Sequence, residues 1–150
     1  MTRQKYYVNS FKADIGALKS TIEDIMTYFD GEYSEMDEAS RLELKVVVNE
    51  LLINSVKHGV REGDSCLVKV IAGFTADDTA LFVVEDDGDG YDTGAIACDG
   101  NFRQENGRTD EINETGRGIF IVKRLCEDFM VNEKGNKVVI NKKLHKLMAG

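Results

Sequence analysis

The sequence predicts an α/β two-layer sandwich, a mixed, mostly antiparallel sheet with helices on one face. Three observations carry that prediction. Segments of strand and helix periodicity follow the order β-α-α-β-β-loop-α-β-β along the 150 residues. The chain has no proline and no linker, repeat or low-complexity tract, so 1–150 is expected to be one domain. Finally, a glycine-dotted stretch from Asp87 to Gly118 shows little periodicity, and unstructured runs of that length are usually functional.

Each element has a local reason. "KYYVNSF" alternates loosely and is rich in β-formers, giving a first strand. From Asp14, a plausible N-cap, the apolar residues Ile15, Leu18, Ile22, Ile25, Met26 and Phe29 fit helical spacing. "DGEYSEMD" breaks that helix, and Ser34 or Asp37 can cap a second one that runs to about His58 and ends at Gly59 and Gly63. "CLVKVIAGF" and "ALFVVED" are strands joined by the turn "TADD". "IFIVKRLCEDF" is a third amphipathic helix, and "MVNE", "KGN" and "KVVINKKL" form a closing hairpin.

Composition narrows the class. Hydrophobic residues make up 42% and charged ones 31%, a globular profile. No apolar run approaches the roughly 20 residues of a membrane helix, nothing at the start resembles a signal peptide, and a cytoplasmic protein is expected. Cys66, Cys98 and Cys126 are scattered and offer no zinc site. A net charge of −8 opposes the phosphates of nucleic acid and suits a protein partner with a basic patch.

Three motifs carry chemistry. In "VVVNELLINSVKHGV", at roughly 100° per residue, Glu43, Glu50, Asn54 and Lys57 fall within about 60° of one another, a narrow polar stripe on an otherwise aliphatic helix. Such a stripe either faces water or lines a site. In "VVEDDGDGYD", Asp86 ends an apolar strand, and Gly88 and Gly90 allow a sharp turn and the close approach of a ligand. A carboxylate there can accept a hydrogen bond from an exocyclic amine such as adenine N6. An ordinary acidic turn is the alternative; calcium would need a fuller oxygen set. In "ETGRGIFIVKRL", Gly116 and Gly118 open a helix whose free N–H groups favour phosphate, with Arg117 as a nearby cation. No P-loop sequence occurs.

Together the motifs resemble the N, G1 and G2 boxes of the Bergerat-fold (histidine-kinase-like) ATPases, most of all the anti-sigma-factor serine/threonine-protein kinases. Glu50, Asn54, His58 and Gly59 match the first box. Asp86, Gly88, Gly90, Tyr91 and Asp92 match the second, and Gly116, Arg117, Gly118, Ile119 and Phe120 match the third. The resemblance spans essentially the whole chain. It implies ATP and Mg²⁺ as cofactors, with Asn54 coordinating the Mg²⁺ that bridges the phosphates and Asp86 reading adenine in a pocket shaped by Gly88 and Gly90. Backbone amides of Gly116, Gly118 and Ile119 would reach the phosphates, Arg117 would stand near the γ-phosphate, and Glu50 would be the general base. Lys57 either reaches a phosphate or is a solvated helix-end charge, and His58 is a packing residue. Residues 93–115 would form an ATP lid, with Arg103 or Arg108 as candidate γ-phosphate contacts.

By the same resemblance the partners are a sigma factor and a small antagonist (anti-anti-sigma) protein, in a homodimer, with no nucleic acid or membrane. The alternatives are a non-catalytic switch that binds ATP and sequesters a partner, against which Glu50 argues, and a free-standing histidine-kinase-like catalytic domain. A self-phosphorylating histidine kinase fits poorly, because His58 and His145 are the only histidines and neither lies on a helical hairpin. A gyrase-like ATPase would bring a second domain.

Overall fold

The computed structural model describes residues 6–62, 66–87 and 118–147, of which 58–62 are described as backbone only. The first strand, β1 (Tyr7–Lys12), leads into α1 (Ile15–Glu32), whose Asp14 cap accepts the Gly16 N–H at 2.8 Å. α2 (Glu38–Glu62) starts at Asp37 rather than Ser34, since the Ser40 N–H donates to Asp37 Oδ1 at 2.7 Å. That charge-assisted bond holds the Asp37 carboxyl below the usual carboxylate range. α2 also runs through Gly59 instead of stopping there. One glycine inside a helix costs only about 1 kcal/mol, less than the packing of a 25-residue helix provides. Gly63 lies outside the described residues.

β2 (Leu67–Ala76) and β3 (Thr79–Asp86) form a hairpin that turns at Asp77 and Asp78, so Thr75 and Ala76 belong to the strand. Among the described residues the third helix, α3, covers 118–125 and ends before the expected Phe129. Pairing of Asp128 with Asn141 and Phe129 with Ile140 draws the end of the expected helix into an edge strand, β4 (Asp128–Val131). The turn to β5 (Lys137–Lys143) has Gly135 at φ 80°, and Asn132 Oδ1 accepts the N–H groups of Gly135, Asn136 and Lys137 at 2.8, 3.0 and 3.1 Å.

The five-stranded sheet has the order β1-β2-β3-β5-β4, and every pairing is antiparallel, the limit of the mostly antiparallel sheet expected. Side chains alternate between two unlike faces. Val68, Val70, Ala72, Ala80, Phe82, Val84, Val138 and Ile140 are at most 2% exposed and meet Ile25 and Phe29 of α1, Leu44, Val47, Val48 and Leu51 of α2, and Ile119 and Val122 of α3. Each buried Val, Leu, Ile or Phe among them stabilises the fold by about 1.5–3 kcal/mol. The other face has no helix over it among the described residues. Across it Val8, Ile71, Val83, Val139 and Met130 stand directly opposite one another in register, one from each strand, with Val8 59% and Met130 55% exposed.

One end of the sandwich is fastened by hydrogen bonds. The buried Tyr33 hydroxyl donates to Asp78 Oδ1 at 2.8 Å and lies 3.3 Å from the Leu144 carbonyl. The chain after β5 closes onto the α1–α2 junction: the Asp37 N–H donates to the His145 carbonyl at 2.8 Å, and the Leu147 N–H to the Glu35 carbonyl at 2.7 Å. No described helix is long and apolar enough to cross a membrane.

Candidate functional site

The candidate site lies at the opposite end. Asn54 is sixteen residues beyond Glu38, an advance of about 24 Å along α2. β3 covers about 23 Å between Thr79, beside the fastened end, and Asp86. Because α2 starts at the fastened end, the two elements deliver Asn54 and Asp86 to comparable depth.

The polar stripe of α2 divides by position. Near its start, Glu43 Oε1 accepts from Lys142 Nζ at 2.6 Å. The Lys142 side chain is only 7% exposed and Glu43 is 42% exposed, so this end of the stripe serves β5 and the core. Farther along, Glu50 is half-buried. Asn54 is 6% exposed, and its Nδ2 has no hydrogen-bond partner among the described residues. A buried amide without a partner costs about 1–3 kcal/mol, and polar ligand atoms would recover it. The amide can present either oxygen or nitrogen by a flip. Lys57 is exposed, and the His58 side chain lies outside the described residues.

Strand alternation decides which carboxylate of "EDD" turns inward. Asp86 pairs with Val68 on the helix-covered face and is 1% exposed, whereas Glu85 pairs with Lys69 on the open face. The Asp86 peptide is gripped on both sides. Its N–H donates to the Asn136 carbonyl at 2.9 Å, and its carbonyl accepts from Asn136 Nδ2 at 2.5 Å. Asn136 has no counterpart in the sequence motifs; its only signal there is the "NEKGN" turn. Asp87 Oδ1 accepts the Leu67 N–H at 3.0 Å, fixing the start of β2 to the end of β3. Its hydrogen bond with the Cys66 side chain holds the Asp87 carboxyl low, while burial first, and Asp87 second, pushes the Cys66 thiol up to about 11. Burial pushes Cys126 up to about 12, so neither thiol is ionised near neutral pH.

α3 approaches α2 at Gly118. A Cβ there would collide with Glu50 Oε1, so the absent side chain leaves room for the Glu50 carboxylate beside α3. The Ile119 side chain is 0% exposed in the core, leaving its backbone as the part able to meet a ligand. Glu50, Asn54, Asp86 and Gly118 are thus placed by α2, β3 and α3. Gly88, Gly90, Gly116 and Arg117, the expected lid at 93–115 with Arg103 and Arg108, and Cys98 lie outside the described residues.

A two-layer sandwich with a buried amide on its long central helix and a buried aspartate at the end of its central strand defines a class. The sequence profile of the histidine kinase-like ATPase domain matches residues 11–142, and the chain belongs to that family. Membership carries ATP as the nucleotide. Among similar proteins, serine-protein kinase RsbW of Staphylococcus aureus (strain MSSA476) is 23% identical over 133 residues, covering 88% of this chain and 80% of the relative. The protein of the same name from Bacillus subtilis (strain 168) is 24% identical over 132 residues, covering 87% and 79%. Among solved structures, a mycobacterial sensor histidine kinase, MprB, superimposes with a TM-score of 0.50 at 15% identity, covering 93% of this chain and 100% of that one, and shares the fold.

Proposed function

We propose that the chain is an ATP- and Mg²⁺-dependent serine/threonine-protein kinase of the anti-sigma-factor type. The observation that carries this is the placement of a half-buried carboxylate, Glu50, one helical turn before the buried, unsatisfied amide of Asn54. Asn54 fits a Mg²⁺ held mainly by phosphates and water, the usual arrangement for that ion. Bound there, the ion neutralises charge on the phosphates. The names of the RsbW relatives support a serine as acceptor.

In the proposed mechanism Asp86 accepts a hydrogen bond from the adenine amine, held in place by the Asn136 grip on its peptide. Gly88 and Gly90 shape that pocket. Backbone amides of Gly116, Gly118 and Ile119 receive the phosphates, with Arg117 and Lys57 adding positive charge. Glu50 takes the proton from the serine hydroxyl as its oxygen bonds to the γ-phosphorus and the bond to the ADP oxygen breaks. A non-catalytic, sequestering switch would not need Glu50.

The protein acts in the cytoplasm on a small antagonist protein and binds a sigma factor. It works as a homodimer, and the open sheet face suits the second copy. Its apolar row spans the four spacings between five strands, about 19 Å. Glu85 and Lys137 lie opposite each other beside that row, so a two-fold axis running between β3 and β5 would pair each with the other's copy.

The test is titration calorimetry with ATP, with and without Mg²⁺, on the wild type and on Asp86→Asn, followed by incubation of the co-purifying antagonist with Mg·ATP. Mg²⁺-dependent binding lost in Asp86→Asn, and an antagonist heavier by one phosphate, are the expected results. Glu50→Gln should bind ATP and leave the antagonist unmodified; transfer at the wild-type rate would sink the base assignment.

A further inference from the structure

The start of α3 and the Glu50 side chain occupy adjoining space. A Cβ built on Gly118 would overlap Glu50 Oε1, and would stand 3.3 Å from its Cδ and 3.8 Å from its Cβ. The Glu50 side chain therefore fills the space a Gly118 side chain would take, its carboxylate nearest. Both helices are anchored in the core. Ile119 and Val122 seat α3 in the core at 0% exposed, and Leu51 and Leu52 seat α2 at 2% and 0%.

We propose that Gly118 is a positioning residue for Glu50: its missing side chain lets the carboxylate stand against the start of α3, in line with the attacking hydroxyl. This rests on Glu50 being the base. It adds a requirement that phosphate binding alone does not make. A backbone N–H that contacts phosphate is kept in Gly118→Ala, and alanine is the better helix former. Only the added Cβ is new, and it points at Glu50. To escape it the carboxylate must move by about 1 Å, a displacement on the scale that costs about 100-fold in rate.

The experiment uses the full chain as wild type, Gly118→Ala, Glu50→Asp and the double variant. Mg·ADP binding is measured by calorimetry, Mg·ATP turnover with water as acceptor, and unfolding by heat. Gly118→Ala should bind Mg·ADP within about twofold of wild type, the scatter of independent sites, while turnover falls about 100-fold. Glu50→Asp, shorter by one methylene, should lower turnover in the wild type yet raise it in the Gly118→Ala background. Wild-type turnover in Gly118→Ala, or two independent and multiplying losses, would overturn the inference. Were the wild type neither to bind Mg·ADP nor to turn over Mg·ATP, the kinase reading would fall by itself. The four melting temperatures would then decide the contact: coupling between the positions upholds it and additivity overturns it.

Discussion

Replacing Asn54 by alanine should separate stability from ligand binding. Truncating a buried side chain ordinarily destabilises a protein by about 2–5 kcal/mol. Asn54 is 6% exposed, which would place it in that range, but its Nδ2 has no partner among the described residues. Removing an unsatisfied buried amide recovers about 1–3 kcal/mol, which offsets most of the packing lost with the amide. The net change should be about 1–2 kcal/mol, a melting shift of about 2–8 °C for a chain of this size. Thermal unfolding without nucleotide reads that number. Saturating Mg·ATP should then stabilise the wild type, by about 2.7 kcal/mol at a hundred times the dissociation constant, and leave the variant unmoved. Destabilisation beyond about 3 kcal/mol would make Asn54 a core residue with a hidden partner. Unchanged ATP affinity would put the nucleotide elsewhere.

Three further outcomes are expected. Ile71→Glu or Val139→Glu, on the open face, should yield a monomer in sedimentation velocity with an unchanged circular dichroism spectrum; a persistent dimer would move the interface to another surface. Glu43→Ala should cost about 2 kcal/mol in denaturant unfolding, because it strands the Lys142 ammonium, 7% exposed, while Lys142→Met should cost less than about 1 kcal/mol; the reverse order would show that Glu43 holds nothing. The Asp37 cap should contribute stability above its unfolded value of about 4 and lose it as pH falls through its lower folded value. Asp37→Asn should flatten that part of the acid-unfolding curve, and an unaltered curve would count against the cap.

Local chemistry was legible in the sequence wherever a residue acts on its own neighbours. Asp14 caps α1 as its position predicts, and "CLVKVIAGF" and "ALFVVED" form paired strands as expected. Boundaries set by distant partners were not legible. Gly59 looks like a stop until the whole of α2 is packed, and "EDF" looks helical until β5 draws Asp128 and Phe129 into a strand. The same holds for the site. Asp86 is visible as the end of an apolar strand, but Asn136, which grips its peptide, is fifty residues away in sequence. Gly118 advertises a helix start, and no local pattern says that Glu50 fills the space beside it.

The fastened end built by Tyr33, Asp78, Leu144 and the His145–Leu147 segment lies far from Asn54 and Asp86 along α2 and β3. This arrangement predicts a gradient of opening, with the fastened end the last to open. Amide protons around Tyr33 and Leu144 should exchange with deuterium only when the whole chain unfolds, while those at the far end of α2 exchange through small, frequent openings. Closing around a ligand and releasing it can then proceed at one pole without loosening the joint that keeps sheet and helices in register.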